Sequence, residues 1–497
     1  MDRLPWTGFH WLVVAGLGIA WILDGLEIQI ISQVSAVMHD RGILQLSYAE
    51  VGLAASCYLF GEVVGALFFG RITDRVGRKK VFLFTLALYL IASGISGLSF
   101  DLWFLLLFRF LAGAGIGGEY AAIHSAIDEL IPAYYRGRVD IALSGTYWFG
   151  AILGAAANVL LLNPNLLPTD LGWRIGFFID PLIGLAIIFV RRSIPESPRW
   201  LMTHGRQEEA ERIVDQIETR VLADGIKLQP VPENRALDVR PIRGSVSYRQ
   251  IAKTMLRDYP SRSFLGFSMM VTQAFLYNAV FFTYSFVLLR FYGIENQATS
   301  YFFFPFAAGN LLGPLVLGKF FDTIGRRKMI TLTYCVSGVL LAISAQLFSA
   351  NLLTAATHTA LWCVIFFFAS AGASSAYLTV SEIFPLELRG QAISFFFAIS
   401  QLAGGVAAPL IFGALIGDGT DPGPLTIGYY VSGAIMFAGG AIAWYYGVDA
   451  ERKSLERIAH PLSEVLQAIE PPVEPERQPH RLWSELGPRR DHARNWR

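Results

Sequence analysis

Charge is what this chain has least of. Asp, Glu, Lys and Arg make up 16% of its 497 residues and apolar side chains 54%, with a mean hydropathy of +0.45. A water-soluble domain carries about a quarter of its residues charged, so that class is excluded. With a formal net charge of +1, nothing argues for nucleic acid as a partner. Cysteine is scarce too. Cys57, Cys335 and Cys363 stand singly inside apolar runs, at no metal-ligand spacing, and read as packing residues. No metal cluster, nucleophile elbow or complete P-loop occurs, so the chain is not read as an enzyme and needs no cofactor. A cleavable signal is also missing, because the first apolar run is too long for one and carries acids.

Long apolar runs are what the chain has in excess. A bilayer span needs about 20 such residues. Runs of that length fall near residues 11–38, 48–70, 81–99, 103–125, 139–162 and 172–192, then 262–290, 298–320, 329–349, 354–380, 391–416 and 426–448. The fold class expected is an all-α membrane protein with twelve transmembrane helices. Lys and Arg concentrate in the segments after the second, fourth, eighth and tenth runs: GRITDRVGRKK, AYYRGR, GKFFDTIGRRK and PLELRG. The positive-inside rule puts those loops, and with them both termini, in the cytoplasm.

The chain repeats itself. GRITDRVGRKK at Gly70 matches GKFFDTIGRRK at Gly318, 248 residues on. ELIPAYYRG at Glu129 matches EIFPLELRG at Glu382, and PESPRWL at Pro195 falls opposite VDAERKS at Val448, both at 253. On that register Glu196 pairs with Asp449. Three landmarks in one order mean two parallel six-helix repeats, with a substrate site expected at their interface near mid-bilayer. Residues 1–192 form an N-terminal bundle and 262–448 a C-terminal bundle. Residues 193–261 form a cytoplasmic connector, in which Glu208–Leu222 has helical periodicity. Residues 449–497 form a Pro-, Glu- and Arg-rich tail, largely disordered past about 470.

RFLAGAGIGGEYAA (Arg109–Ala122) spells G-x-G-x-x-G, but no strand precedes it, so it is no dinucleotide loop. Arg109, Gly113 and Gly117 are spaced by four and share a helix face, a small-residue seam against a neighbouring helix. Asp24 and Glu27, three apart, share a face of the first helix. A carboxylate at bilayer centre costs about 2.5–3.5 kcal/mol on insertion scales, so it must be protonated, paired or wet. Asp24 is expected to carry the coupling proton, with Arg109 as its switchable partner; the alternative is a permanent ion pair. Arg109 is equally a candidate for holding a substrate carboxylate, and Glu27 for substrate or a second proton. Glu62 stands at even odds with a structural acid, and Glu119 is assigned to the cytoplasmic charge network. In the second half Gln273, Asn278, Tyr377 and Gln401 are polar groups in apolar helices, as are Tyr277 and Asn310, and suit a polar site. Interhelical hydrogen bonding is the competing use. Tyr147 and Trp148 could stack a ring, but most aromatics here pack or face lipid.

These landmarks resemble the major facilitator superfamily and its sugar-porter-like branch. G-x-x-x-D-R-x-G-R-K at Gly70–Lys79, Arg109-x-x-x-Gly113-x-Gly115-x-Gly117, PESPRWL, the seventh-run stretch TQAFLYNAVFFTY and the tail RKSLERI carry the resemblance. It implies the major facilitator fold and a secondary transporter of the inner or plasma membrane, working as a monomer. Its proton coupling site falls at Asp24. The branch's substrate amides fall at Gln273 and Asn278, and its tenth-helix Trp is replaced by Tyr377. The fifth-helix glutamine is Ser144 here. ILDGLE and GGEY resemble proton-coupled carriers of organic acids. The expected activity is therefore proton-coupled import of a small polar metabolite, with an organic acid as first choice and a sugar or polyol as alternative. A non-transporting sensor is a second alternative, disfavoured by the short tail. The absence of a helix-five G-x-x-x-G-P argues against an exporter. The cytoplasmic charges Asp74, Arg75, Arg78, Glu129, Arg136, Glu196, Arg199, Asp322, Arg326, Glu382, Arg389 and Asp449 are expected to form a latch across the two halves.

Overall fold

The computed structural model describes residues 1–37, 44–161, 163, 165–192, 194–223, 225–228, 230, 247–281, 284–294, 296–416 and 421–463. Nothing but helix and connecting turn occurs among them. The first half holds α1 (Gly8–Val37), α2 (Tyr48–Val76), α3 (Arg78–Ser96), α4 (Leu102–Leu130), α5 (Arg136–Leu161) and α6 (Thr169–Arg192). Two short helices and one longer one follow: α7 (Pro198–Thr203), α8 (Gln207–Ala223) and α9 (Tyr248–Lys253). The second half holds α10 (Pro260–Phe281), α11 (Tyr284–Tyr292), α12 (Asn296–Thr323), α13 (Arg326–Ser349) and α14 (Ala355–Ile383). It continues through α15 (Arg389–Ser400), α16 (Ala408–Ile416), α17 (Gly423–Tyr446) and the single turn α18 (Leu455–Ile458).

Twelve crossings result. In the seventh, residues 282 and 283 between α10 and α11 lie outside the described residues. The eleventh is α15 and α16 joined by a π-helical stretch, Gln401–Ala407. Ten of the described helices are long and apolar enough to span a bilayer unaided. The connector helix expected at Glu208–Leu222 is α8, one residue longer at each end. The expected disorder past residue 470 lies outside the described residues.

Both halves pair their helices in one pattern. α1 packs on α5 and α6, α2 on α4, and α3 on α4 and α6. In the second half α10 packs on the π stretch and α17, α12 on α14, and α13 on α14 and α17. The two bundles meet along α5–α12, α2–α15, α5–α14 and α4–α15. Large apolar side chains such as Phe68, Trp103, Leu182, Leu315 and Tyr445 remain exposed on the outside, as a surface in contact with lipid requires.

The seam anticipated in RFLAGAGIGGEYAA is a backbone-to-backbone contact. A Cβ on Gly113 or Gly117 would collide with the carbonyl oxygens of Tyr58 and Glu62 on α2. Gly61 and Gly65 on α2 reciprocate against Phe110 and Ala114. Four glycines thus bring α2 and α4 together without intervening side chains. Gly115 turns instead toward Tyr89 of α3, and Gly118 toward Phe69.

Candidate functional site

Between the two bundles lies a cavity of about 180 Å³. Helical spacing explains its lining. Trp21 and Ile28 of α1 are seven apart; Ser144, Tyr147 and Trp148 lie on one face of α5. Gln273, Ala274, Tyr277, Asn278 and Phe281 form a stripe along α10, and Ser370, Ala373, Ser374 and Tyr377 another along α14. Leu59 and Glu62 of α2, Tyr120 of α4, Phe397 of α15 and Gln401 complete the wall. Glu62 is the one Asp, Glu, Lys or Arg among these residues, and it is 2% exposed.

Glu62 accepts a hydrogen bond of 3.0 Å from the Gln401 amide, which opens the π-helical stretch of the other half. A π turn puts an extra residue into the helix, and such bulges recur at binding sites. Tyr277 donates to Asn310 at 2.8 Å, while Asn278 donates to Ala274 O of its own helix at 2.7 Å. Trp148 stands against Tyr277 and Phe281, with ring centroids 6.0 and 5.5 Å away. Gln273, Asn278, Tyr377 and Gln401, read as binding residues from sequence, are all on the wall. Asn310 serves by holding Tyr277. Trp21, Tyr120, Tyr147 and Trp148 are also on it. The last two are hard to single out from sequence, because 13% of the chain is aromatic and abundance hides the few that matter. The spacing of Trp21 three residues before Asp24 is a signal that could have found one of them.

Asp24 sits behind this wall. It is 1% exposed and accepts hydrogen bonds from the Tyr120 hydroxyl and, at 3.4 Å, from Tyr58. Among the described residues it has no ion pair. Arg109, the partner expected for it, pairs instead with Glu27 at 2.5 Å. Ser93 donates to the same Glu27 oxygen at 3.1 Å, and Ser96 lies 3.4 Å from Arg109 Nε. The guanidinium lies against the rings of Tyr58 and Phe177, 5.2 and 4.9 Å from their centres. The physical reason is reach. Tyr58 and Tyr120 occupy the space around Asp24, while Glu27, one turn further along α1, meets Arg109 directly. Arg109 is 1% exposed and does not line the cavity, so this geometry gives it no contact with a cavity-bound substrate. Glu119 is likewise buried and off the cavity wall.

At one end of the bundle the charged landmarks close into a network with two-fold pseudo-symmetry. Arg78 bridges Asp74 and Glu129 at 3.3 and 3.1 Å; Arg326 bridges Asp322 and Glu382 at 2.7 and 3.0 Å. Each aspartate then reaches the opposite half. Asp74 accepts from the Gln391 amide at the start of α15, and Asp322 accepts from the Gly137 and Arg138 amides at the start of α5. These are carboxylates at helix N-termini, where free N–H groups favour an anion. Arg136 lies 3.7 Å from Glu382. Arg389 lies 3.5 Å from Glu129 and 3.8 Å from Asp128. Cross-bundle contacts thus use backbone amides as much as the ion pairs expected. Gly77 and Gly325 turn each loop at φ 108° and 117°, which L side chains rarely adopt.

Two latch assignments change. Glu196 accepts from the Arg78 and Lys79 amides. The group doing this in the second half is Glu451, which accepts from the Arg326 amide at 3.3 Å. Asp449, placed opposite Glu196 by a gapless register, is exposed, as is Arg75, which takes no part in these pairs. Glu451 stands two residues beyond the position that the gapless register gives. Arg199 bonds Glu456 at 2.7 Å, Asp2 at 3.0 Å and Glu129 O at 2.8 Å. Burial opposes ionisation of Glu456, but the Arg199 guanidinium outweighs it and pulls that carboxyl down to about 2.

The model of the sugar (and other) transporter family matches residues 14–457. The niacin transporter of Acinetobacter baylyi is 27% identical over 415 residues, 83% of this chain and 88% of the relative. Myo-inositol transporter 2 of Schizosaccharomyces pombe is 27% identical over 409 residues, covering 79% of this chain and 72% of that one. The major facilitator proton:xylose symporter bound to 6-bromo-6-deoxy-D-glucose superposes with a TM-score of 0.74 at 19% identity. That match covers 90% of this chain and 98% of the symporter.

Proposed function

Because the chain belongs to the sugar (and other) transporter family of the major facilitator superfamily, we propose that it imports a small polar ring metabolite together with protons. The ends rich in Lys and Arg face the cytoplasm, and the two bundles rock about the cavity. The observation that carries this reading is the cavity wall: one buried carboxyl, Glu62, several ring faces and side-chain amides, and Asp24 one hydroxyl behind.

The wall explains how proton and substrate could travel together. An organic anion brought beside an ionised Glu62 meets like charge, about 4 kcal/mol at 4 Å and an effective dielectric of 20. A proton on Glu62 removes that repulsion and turns the carboxyl into a hydrogen-bond donor for the substrate carboxylate. Anion and proton then bind as a neutral pair, which is what a low-dielectric site tolerates. Trp21, Tyr147, Trp148 and Tyr377 offer faces for a planar ring. The volume is below the roughly 300–1,000 Å³ of drug-sized sites, so the cargo is small. A ring carboxylic acid such as nicotinate fits these terms, and the Acinetobacter baylyi relative is a niacin transporter by name. Gln273 and Asn278, neutral amides on one face of α10, favour a sugar or polyol as the second reading.

The test is uptake of radiolabelled nicotinate and of D-xylose into proteoliposomes, with and without an inward proton gradient. Nicotinate accumulation that requires the gradient is the expected result. Uptake indifferent to the gradient overturns proton coupling, and accumulation of xylose alone selects the second reading.

A further inference from the structure

The geometry points to a second proton station, the buried pair His124–Asp140, which receives the coupling proton after Asp24 and passes it toward the charged face. This rests on the proton-coupled reading above.

Both residues are 0% exposed. His124 Nδ1 and Asp140 Oδ1 are 2.8 Å apart, joining α4 to α5. An ionised carboxylate only accepts, so Nδ1 carries the hydrogen and Nε2 is left as the basic nitrogen. Nε2 has no hydrogen-bond partner among the described residues. The unprotonated nitrogen of a neutral imidazole keeps a lone pair that can take up a proton.

Position makes the pair useful. Tyr120, His124 and Asp128 recur every four residues along α4, on one face. Tyr120 holds Asp24. Asp128 lies among Arg136 and Arg389 in the charged network. His124 therefore stands one turn, about 5.4 Å, from each. The groups packed on its ring are Trp21 of α1, edge-on at 5.6 Å, and Tyr377 of α14, stacked at 5.1 Å and 9°. Both also line the cavity, so the imidazole is one aromatic layer behind the substrate. Asp140 is the charged group that touches it, and Arg136 and Arg389 are engaged by Asp128 one turn away.

The step balances simply. The Asp24 carboxyl gives its proton, through water or the Tyr120 hydroxyl, to His124 Nε2. Asp140 compensates the imidazolium charge while keeping its bond to Nδ1. When the charged face opens, the same Nε2 proton leaves to entering water, and the starting tautomer is restored.

The experiment uses the full chain carrying His124→Gln or Asp140→Asn. In proteoliposomes, gradient-driven accumulation of nicotinate is expected to fall on the order of 10²-fold, the low end for a positioned acid–base group, while equilibrium exchange stays within about twofold. Unchanged accumulation, or exchange lost in step with it, overturns the station. A second readout needs no substrate. A pH titration of tryptophan emission is expected to show a transition, from imidazolium forming beside Trp21, that His124→Gln removes. Identical titrations overturn the proposal. Wild-type protein that ignores the gradient condemns the coupled-transport reading instead, and the titration still judges the station.

Discussion

At the scale of single residues, the arrangement of buried charge decides most outcomes. Among the described residues Asp24 has two hydroxyl donors and no cation, so Asp24→Asn keeps the shape and removes the proton site. Gradient-driven accumulation is expected to be lost, with equilibrium exchange partly surviving; unchanged accumulation in a proteoliposome assay would make Asp24 structural. Arg109 and Glu27 behave as a unit. Arg109→Met strands a buried carboxylate, and breaking such a pair costs about 3–5 kcal/mol. Replacing both residues with Met is expected to restore most of that stability, read as the midpoint of thermal inactivation in detergent. Outside the membrane, Arg199 holds Glu456 in its ionised form. Its folded value near 2 lies below the ordinary 4.5. The Arg199–Glu456 bond therefore contributes in full above about pH 4.5 and is lost as pH falls toward 2. Protection of the α18 amides against exchange, taken relative to the intrinsic rate at each pH, is expected to fall across that window and to be low throughout in Glu456→Gln. Asp24 and the wall amides were legible in sequence, because a polar residue in an apolar run is conspicuous. The Arg109–Glu27 pairing was not, since two acids three apart offer one arginine equal claims and only the tyrosines around Asp24 decide.

At the scale of the helix, close approach of backbones is the governing feature. Ala in place of Gly within a helix ordinarily gains up to about 1 kcal/mol. At Gly117 that sign reverses, because the added Cβ meets the Glu62 carbonyl; a loss of about 1–3 kcal/mol is expected from overpacking. Gly8→Ala, with nothing within 4 Å, is the control. Parallel thermal inactivation of both variants checks the contrast, and equal behaviour would refute the seam. The twelve crossings were readable from run length alone, and so was the G-x-x-x-G seam. The π turn at Gln401 was not. An apolar run has the same composition whether its hydrogen bonds run to the fourth or the fifth residue.

At the scale of the whole molecule, duplication shapes the machinery. The repeat was visible in three motifs, yet a gapless register misses the counterpart of Glu196 by two residues, giving Asp449 instead of Glu451. Asp74 and Asp322 are equivalent clasps, each reaching the helix start of the other bundle. Asp74→Ala with Asp322→Ala is expected to favour the state open at the charged face. The readout is faster labelling of Ser144→Cys by a thiol reagent added on that side, and an unchanged rate would show that the clasps do not hold the closed state.

Because the clasp is present twice and related by the pseudo-two-fold, its failure has a characteristic signature. Losing one copy leaves an intact duplicate that still enforces closure, so single lesions should leak little and only the double lesion should give a leaky carrier. Redundancy of this kind buffers the cycle against mutation. Measured leak should rise more than additively when the second copy is removed.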